Sequence, residues 1–473
     1  MGKMSFLLNY FRSGGKPSAA TSSVVMTAES TKYAKWTHKQ LVERIIELEN
    51  SKRECDTLGS ESKKRKSEDI VVGNGVQNGE EEKTMLEQTE KTRKEKGKKK
   101  KKLREFDFSK YNTRFIALRF AYLGWNYNGL AFQKEPTPLP TVEGTILEAL
   151  NRCRLIPTLV PQDCNFSRCG RTDKGVSAMN QVISLNVRSN LTNEEQLDPA
   201  NDPREIQYVT LLNQVLPNDI RISAVALRPP EGFDARFSCM ARHYKYIFCK
   251  EGLNLDKMSE AVKLYEGEHD FRNFCRHDGS KQITNYNRTI LSANILQITD
   301  DYYCFDLVGT AFLWHQVRCM MAILFLIGQE LEEPSLVTEM LDVNKTPLKP
   351  IYEMASDFPL LLYDCIFPSD LEWSEANLED FKAIKYQKSI SAVKLNYEIK
   401  AAVAKIFKET LPSSNADFED KTRINLGNGH GRVMTKYIKM LDRDTMMSVE
   451  EVNARYRNRK KGKSQAMNGS EVE

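Results

Sequence analysis

Ten cysteines are scattered through this 473-residue chain, and no two have C-x-x-C spacing. That absence argues against a disulfide framework and against a redox dithiol. The cysteines read instead as small core residues in a reducing compartment. Histidine is scarcer, six in all, and its nearest grouping (His269, Cys275 and His277) lacks a fourth ligand, which argues against a metal site. No uninterrupted apolar run reaches the length of a membrane span. The P-loop pattern and the dinucleotide fingerprint are both missing, and HDFRN (269–273) shares letters with a kinase catalytic loop without the other kinase motifs. Acid is missing from the start: Lys3, Arg12 and Lys16 precede the first carboxylate, Glu29. With FLLNYF and several Ser, Gly and Ala, the first 28 residues are presequence-like, the plain alternative being an unstructured start. Met26 could serve as a second start, and Phe6 stands where a myristoylation signal needs Ser or Thr.

Cations are plentiful but uneven. The net charge is only +5, yet Lys91–Arg104 (KTRKEKGKKKKKLR) sets ten basic residues against Glu95 alone. Such a run stays solvated and suits a polyanion, although a nuclear-localisation signal or a plain linker would look the same. Upstream, WTHKQLVERIIELE (36–49) spaces Leu41, Ile45 and Leu48 as a short amphipathic helix. The expected organisation is a targeting-like segment over 1–35, that helix over 36–55 and a basic linker over 56–104. Two globular parts follow over 105–240 and 241–370, with a helical, polar extension over 371–473 and a frayed end at RYRNRKKGKSQ.

Within the globular parts, TRFIALRFAY (113–122) alternates as a strand. TVEGTILEALNRC places Val142, Ile146, Leu147 and Leu150 on one helical face with Thr141 as N-cap. YVTLLNQVL (208–216) reads as helix, and residues 220–225, 243–248 and 302–311 read as strands. QVRCMMAILFLIGQ closes the series as a helix. Strands and helices in this order predict an α+β fold, with helices covering one side of an antiparallel sheet.

Three stretches carry charge or aromatic groups where packing alone does not call for them. In SRCGRTDKGVSA (167–178), Asp173 lies between Arg171 and Lys174, and Gly170 and Gly175 leave room for a large substrate. An Asx-turn is the plain alternative for Asp173, but a turn needs no basic pair around its acid. Arg318 is the only charged residue between Asp306 and Glu330. An arginine there, near a helix start, calls for an anionic partner, unless it snorkels or binds loop carbonyls. Asp173 is the candidate partner, and the pairing would keep its carboxylate ionised. In ARFSCMARHYKYIF (235–248), Tyr244 follows Arg236 and Arg242, an aromatic framed by cations that suits a splayed-out base. Tyr246 and Phe248 read as core.

CGRTDKGVSA with QVISL, ARFSCMARHYKY, HDFRNFC and FLWHQVRCMMAILFLIGQ together resemble the TruA-type tRNA pseudouridine synthases, in family order over residues 106–368. The forms RCGRTDKGVSA, AYLGWNYNGLAFQ and VRCMMAILFLIGQ resemble the family's eukaryotic branch, which modifies uridines 38 and 39 of the tRNA anticodon stem. The resemblance implies two ferredoxin-like, RRM-like α+β subdomains with a joined antiparallel sheet and a central basic cleft. It implies catalytic roles for Asp173, Tyr244 and Arg318, and base flipping assisted by Arg171. Substrate contacts from Lys174, Arg236, Arg242 and Tyr244 complete the expected site. His243 and Trp314 stand where other members vary, and the long amino-terminal extension lies outside the shared core.

The implied reaction isomerises uridine to pseudouridine, is redox-neutral and calls for no cofactor or metal. The partners implied are tRNA and a second copy of the chain, with no membrane. A nuclear and cytoplasmic location is expected, with a mitochondrial form through the first 28 residues. Three other readings stay open: a synthase acting on other uridines, a non-catalytic RNA-binding or folding factor, and an adaptor working through residues 36–104.

Overall fold

The strand β1 (Asn112–Tyr122) runs through the first of two cores, burying Ile116, Leu118 and Phe120. The computed structural model describes residues 106–375, 381–412 and 421–469; the targeting-like segment, the amphipathic stretch and the basic run lie outside them. All the described residues belong to one compact unit, Lys102–Glu473.

β1 pairs antiparallel with β3 (Ser177–Ser189), Leu118 facing Ile183, and on its other side with β4 (Ile220–Ala226). Helix α1 (Val142–Arg152) starts where Thr141 Oγ1 accepts from the Gly144 amide at 3.1 Å, the N-cap read from the sequence. It buries Val142, Ile146, Leu147 and Leu150 in this first core, beside Tyr208, Val209 and Leu212 of α2 (Tyr208–Asn213).

The second half repeats the logic with β5 (Ala241–Cys249), β6 (Gly267–Asp270), β7 (Asn287–Gln297) and β8 (Tyr302–Gly309). Its core is built on α3 (Leu255–Lys263) and α4 (Gln316–Gly328), with α5 (Leu336–Leu341) beside them. Apolar residues circle α4 completely, as expected of a helix enclosed on every side. All of its residues except Arg318 are buried.

The halves are joined by β9 (Leu360–Ile366), which pairs antiparallel with β5 and parallel with β3 through Ser177–Leu361 and Ala178–Leu362. The resulting ten-stranded sheet runs β10-β4-β1-β3-β9-β5-β8-β7-β6, with β2 (Ser167–Arg168) on β3 and β10 (Ser374–Glu375) at the edge. The joined sheet expected from the sequence is there, but its joint is parallel. A bulge where β5 meets β9, between His243 and Tyr244, turns the strand at the seam. Tyr244 alone among the described residues packs against both cores.

The C-terminal region contains α6 (Phe381–Thr410), a small hairpin of β11 (Thr422–Ile424) and β12 (Arg432–Met434), and α7 (Val449–Gly469). The frayed end expected at RYRNRKKGKSQ is part of α7. Val449 sits in the second core, and Asn453 donates to the Ile283 carbonyl at 3.0 Å, so the helix is anchored at its start. Among the described residues, no helix is long and apolar enough to cross a membrane.

Candidate active site

Asp173 sits in an eight-residue loop, 169–176, that closes the hairpin of β2 and β3. The loop is pinned almost residue by residue. Arg168, just before it, is paired with the buried Glu143 of α1, whose other oxygen accepts from the Phe132 amide at 2.7 Å. The Cys169 amide donates to Val182 and the Gly170 carbonyl accepts from buried Gln181. Thr172 shares a 2.6 Å hydrogen bond with the Tyr122 hydroxyl, and its carbonyl accepts from Leu130. Gly129 (φ +88°) lies so close that a Cβ there would stand 2.9 Å from the Thr172 oxygen. A loop restrained at this many points aims its side chains with little conformational freedom left to lose.

The carboxylate itself is held from α4 and the turn before it. Trp314 donates its indole N–H to Oδ1 at 3.2 Å, and His315 Nε2 lies 3.1 Å from Oδ2. His315 occupies the left-handed region (φ +61°), uncommon for a non-glycine residue, and its Nδ1 is buried without a partner. A backbone conformation of that kind persists where the surrounding structure imposes it, often at functional sites. Burial alone would push the Asp173 carboxyl up, but the His315 contact and charge, the Trp314 indole and the field of Arg318 outweigh it. The carboxyl is held below its usual range and is ionised at neutral pH.

The Asp173–Arg318 ion pair expected from the sequence is not formed. Arg318 directs its Nε to the Ala355 carbonyl at 2.8 Å and reaches Asp173 only through its field. The loop ahead of α4 places Trp314 and His315 between the helix and the acid, so they take the direct contacts.

Tyr244 meets Phe312 edge to face at 5.0 Å in the cleft wall. Burial, with neighbouring cysteines, pushes its phenol well above the ordinary range, so it is neutral. Arg242 was expected to meet substrate, but its guanidinium donates to four backbone carbonyls, those of Cys239, Thr310, Cys169 and Arg236. With its donors engaged it is a clamp between the Asp173 loop and the strands around Tyr244. Arg171, Lys174 and Arg236 are exposed on the cleft, which encloses about 820 Å³. Seven lysines and arginines line it against two aspartates, a balance that favours a polyanion over a small neutral ligand.

A family model described as tRNA pseudouridine synthase matches residues 261–368. The tRNA pseudouridine(38/39) synthase of Saccharomyces cerevisiae is 58% identical over 94% of this chain and 96% of its own length. The chain belongs to the tRNA pseudouridine synthase family. Within the family, the human tRNA pseudouridine(38/39) synthase is 43% identical over 71% of this chain and 67% of its own length. The tRNA pseudouridine synthase A of Methanosarcina mazei is 33% identical over 55% and 88% respectively. Enzymes of this family are RNA-uridine isomerases, and tRNA is their substrate.

Sequence reasoning noted Trp314 as a departure from the family and passed over His315 and Glu143. The signal was present for the first two: a Trp-His pair directly ahead of a helix whose one charged residue is Arg318 is chemically out of place. Glu143 left none, because an acid in the first turn of a helix looks like an ordinary response to the helix dipole. Among the described residues, all nine cysteines are free and no cluster could hold a metal ion.

Proposed function

We propose that this chain isomerises uridine to pseudouridine at positions 38 and 39 of the tRNA anticodon stem, with Asp173 as the catalytic group. The observation that carries the reading is an ionised carboxylate, that of Asp173, held on both oxygens within a basic cleft. The reaction breaks N1–C1′ and forms C5–C1′ of the same nucleotide, so no atom enters or leaves apart from proton exchange with solvent. An ionised carboxylate can attack the sugar, attack the base or take a sugar proton, and each role needs the charge that Trp314, His315 and Arg318 maintain. Tyr244, neutral and at the seam, stacks on the base; a phenol held neutral is a poor proton acceptor. A target within the stem must first leave its stack, at a cost of about a few kcal/mol. Arg171, exposed beside Asp173, occupies the vacated space, and Lys174 and Arg236 meet phosphates. Residues 105–240 then form the half that carries the acid, and 241–370 the half that holds it in place.

The test is carbodiimide-dependent primer extension on unmodified tRNA, with wild type and Asp173→Asn in parallel. Signals at 38 and 39 in the wild type, absent in the variant while tRNA affinity stays within about threefold, are expected, because phosphate contacts dominate binding. Signal at other uridines would reassign the position, and wild-type binding without any signal would favour a non-catalytic RNA-binding role. The resemblance further supports a homodimer, checked by light scattering. The basic stretch SKKRKS (62–67) supports nuclear and cytosolic pools, and the first 28 residues a mitochondrial form, both checked by imaging tagged protein.

A further inference from the structure

Phe237 is 80% exposed, the highest value for any large hydrophobic side chain among the described residues, and it borders the same cleft as Asp173 and Arg171. An apolar ring turned into water has no folding rationale, and here the loop around it is stiff. Asp234 Oδ1 accepts from the Arg236 and Phe237 amides at 2.8 and 3.0 Å, and the Ser238 amide returns to the Asp234 carbonyl at 2.9 Å. The Arg236 carbonyl is tied down by Arg242, the clamp that also holds the Asp173 loop. The guanidinium of Arg236 lies 5.2 Å from the Phe237 ring centre. An exposed aromatic on a backbone-tethered loop with a cation against it, on the rim of a cleft lined by arginine and lysine, has the makings of a platform for a π-face that carries negative charge nearby.

On the reading that this cleft binds tRNA, we propose that Phe237 stacks on a nucleobase flanking the target uridine. It holds the RNA strand open beside the vacated position while Arg236 meets the adjoining phosphate. An apolar protein partner is the less fitting occupant, because the ring stands among cations, which resist burial in an apolar interface. The stack forms with the neighbouring base in the bound complex and persists through the reaction, so it contributes to affinity and KM, not to the chemical step.

The experiment compares Phe237→Ala, Phe237→Leu and Phe237→Tyr in tRNA affinity, in KM, and in single-turnover rate at saturating tRNA. At this exposure the fold should be indifferent, and a thermal melt of each variant verifies it. Loss of one base stack weakens binding by roughly ten- to a hundredfold. The alanine variant is expected to raise Kd and KM by that factor with the saturated rate within about threefold of wild type. Tyrosine should restore affinity, and leucine, apolar but without a π-face, should not. Because stacking releases no counterions, the slope of log Kd against log salt stays unchanged, whereas removing a phosphate contact reduces it by about one. Unchanged Kd and KM in Phe237→Ala would overturn the proposal, as would full restoration by leucine or a loss confined to the saturated rate. Wild-type protein that binds tRNA but forms no pseudouridine would count against the proposed function alone, since the affinity comparison still decides the role of Phe237.

Discussion

Replacing His315 by glycine tests how the Asp173 charge is maintained. The imidazole contributes one of the two direct contacts to the carboxylate, 3.1 Å from Oδ2. A hydrogen bond to a charged group is worth about 1.5–3 kcal/mol, and the Asp173 side chain is 37% exposed, so solvent screening places this one near the lower end. Its loss should raise the Asp173 pKa, because the contact favours the ionised form and its removal leaves the neutral form unaffected. The direction follows from the depressed carboxyl: the contact favours the ionised form, so removing it makes protonation easier and moves the acid limb of the rate profile to higher pH. The same linkage makes the intact contact a source of folding stability above the unfolded carboxyl's pKa, lost as pH falls through the folded one.

Glycine is the right replacement because position 315 has φ +61°, where any residue with a Cβ is strained by about 1–2 kcal/mol. His315→Ala keeps that strain, and should unfold more readily than His315→Gly, which relieves it. The assay is single-turnover pseudouridine formation at saturating tRNA from roughly pH 3 to pH 8, so that the acid limb of the depressed carboxyl falls inside the window. At neutral pH the variant should lose less than about tenfold, since Asp173 remains ionised. An acid limb that stays in place, or moves down, would refute the account of how the carboxylate is held.

Three further outcomes follow from the geometry. Arg242→Met should destabilise the protein by about 3 kcal/mol in denaturant unfolding, because four carbonyls lose a charged donor. Unchanged stability with weaker tRNA binding and a shallower salt slope would instead restore Arg242 as a phosphate contact. Arg114→Met breaks a buried 3.0 Å pair with Glu205, remote from the cleft, and should cost about 3–5 kcal/mol of stability without changing kcat. Asp173→Asn should abolish pseudouridine formation while tRNA affinity stays within about threefold, as measured by primer extension and a binding titration.

Local signals carried much of the fold. Thr141 announced α1 because a hydroxyl before an apolar-periodic run satisfies a free amide, and the structure has that hydrogen bond. The alternation in TRFIALRFAY and the long apolar run after Arg318 specified β1 and α4 in the same way, since side-chain periodicity is a property of the segment itself. The lone Arg318 was legible as an anomaly for the same reason, and it is the one residue of α4 that is not buried.

What the segments could not specify was their meeting. LLLYDCI (360–366) carries no mark that it joins two halves of a sheet, because strand pairing over nearly two hundred residues of separation depends on the whole topology. Arg242 looks like any loop-proximal cation until four carbonyls from three segments converge on it. His315 reaches Asp173 only because its backbone turns left-handed, a strain that surrounding packing imposes and local propensity opposes. The sequence by itself determined the chemistry available, an acid among cations with aromatics nearby. Only the tertiary structure decided which groups hold that acid and which are spent on the backbone, because hydrogen bonds form between atoms that folding brings within about 3 Å, whatever their distance along the chain.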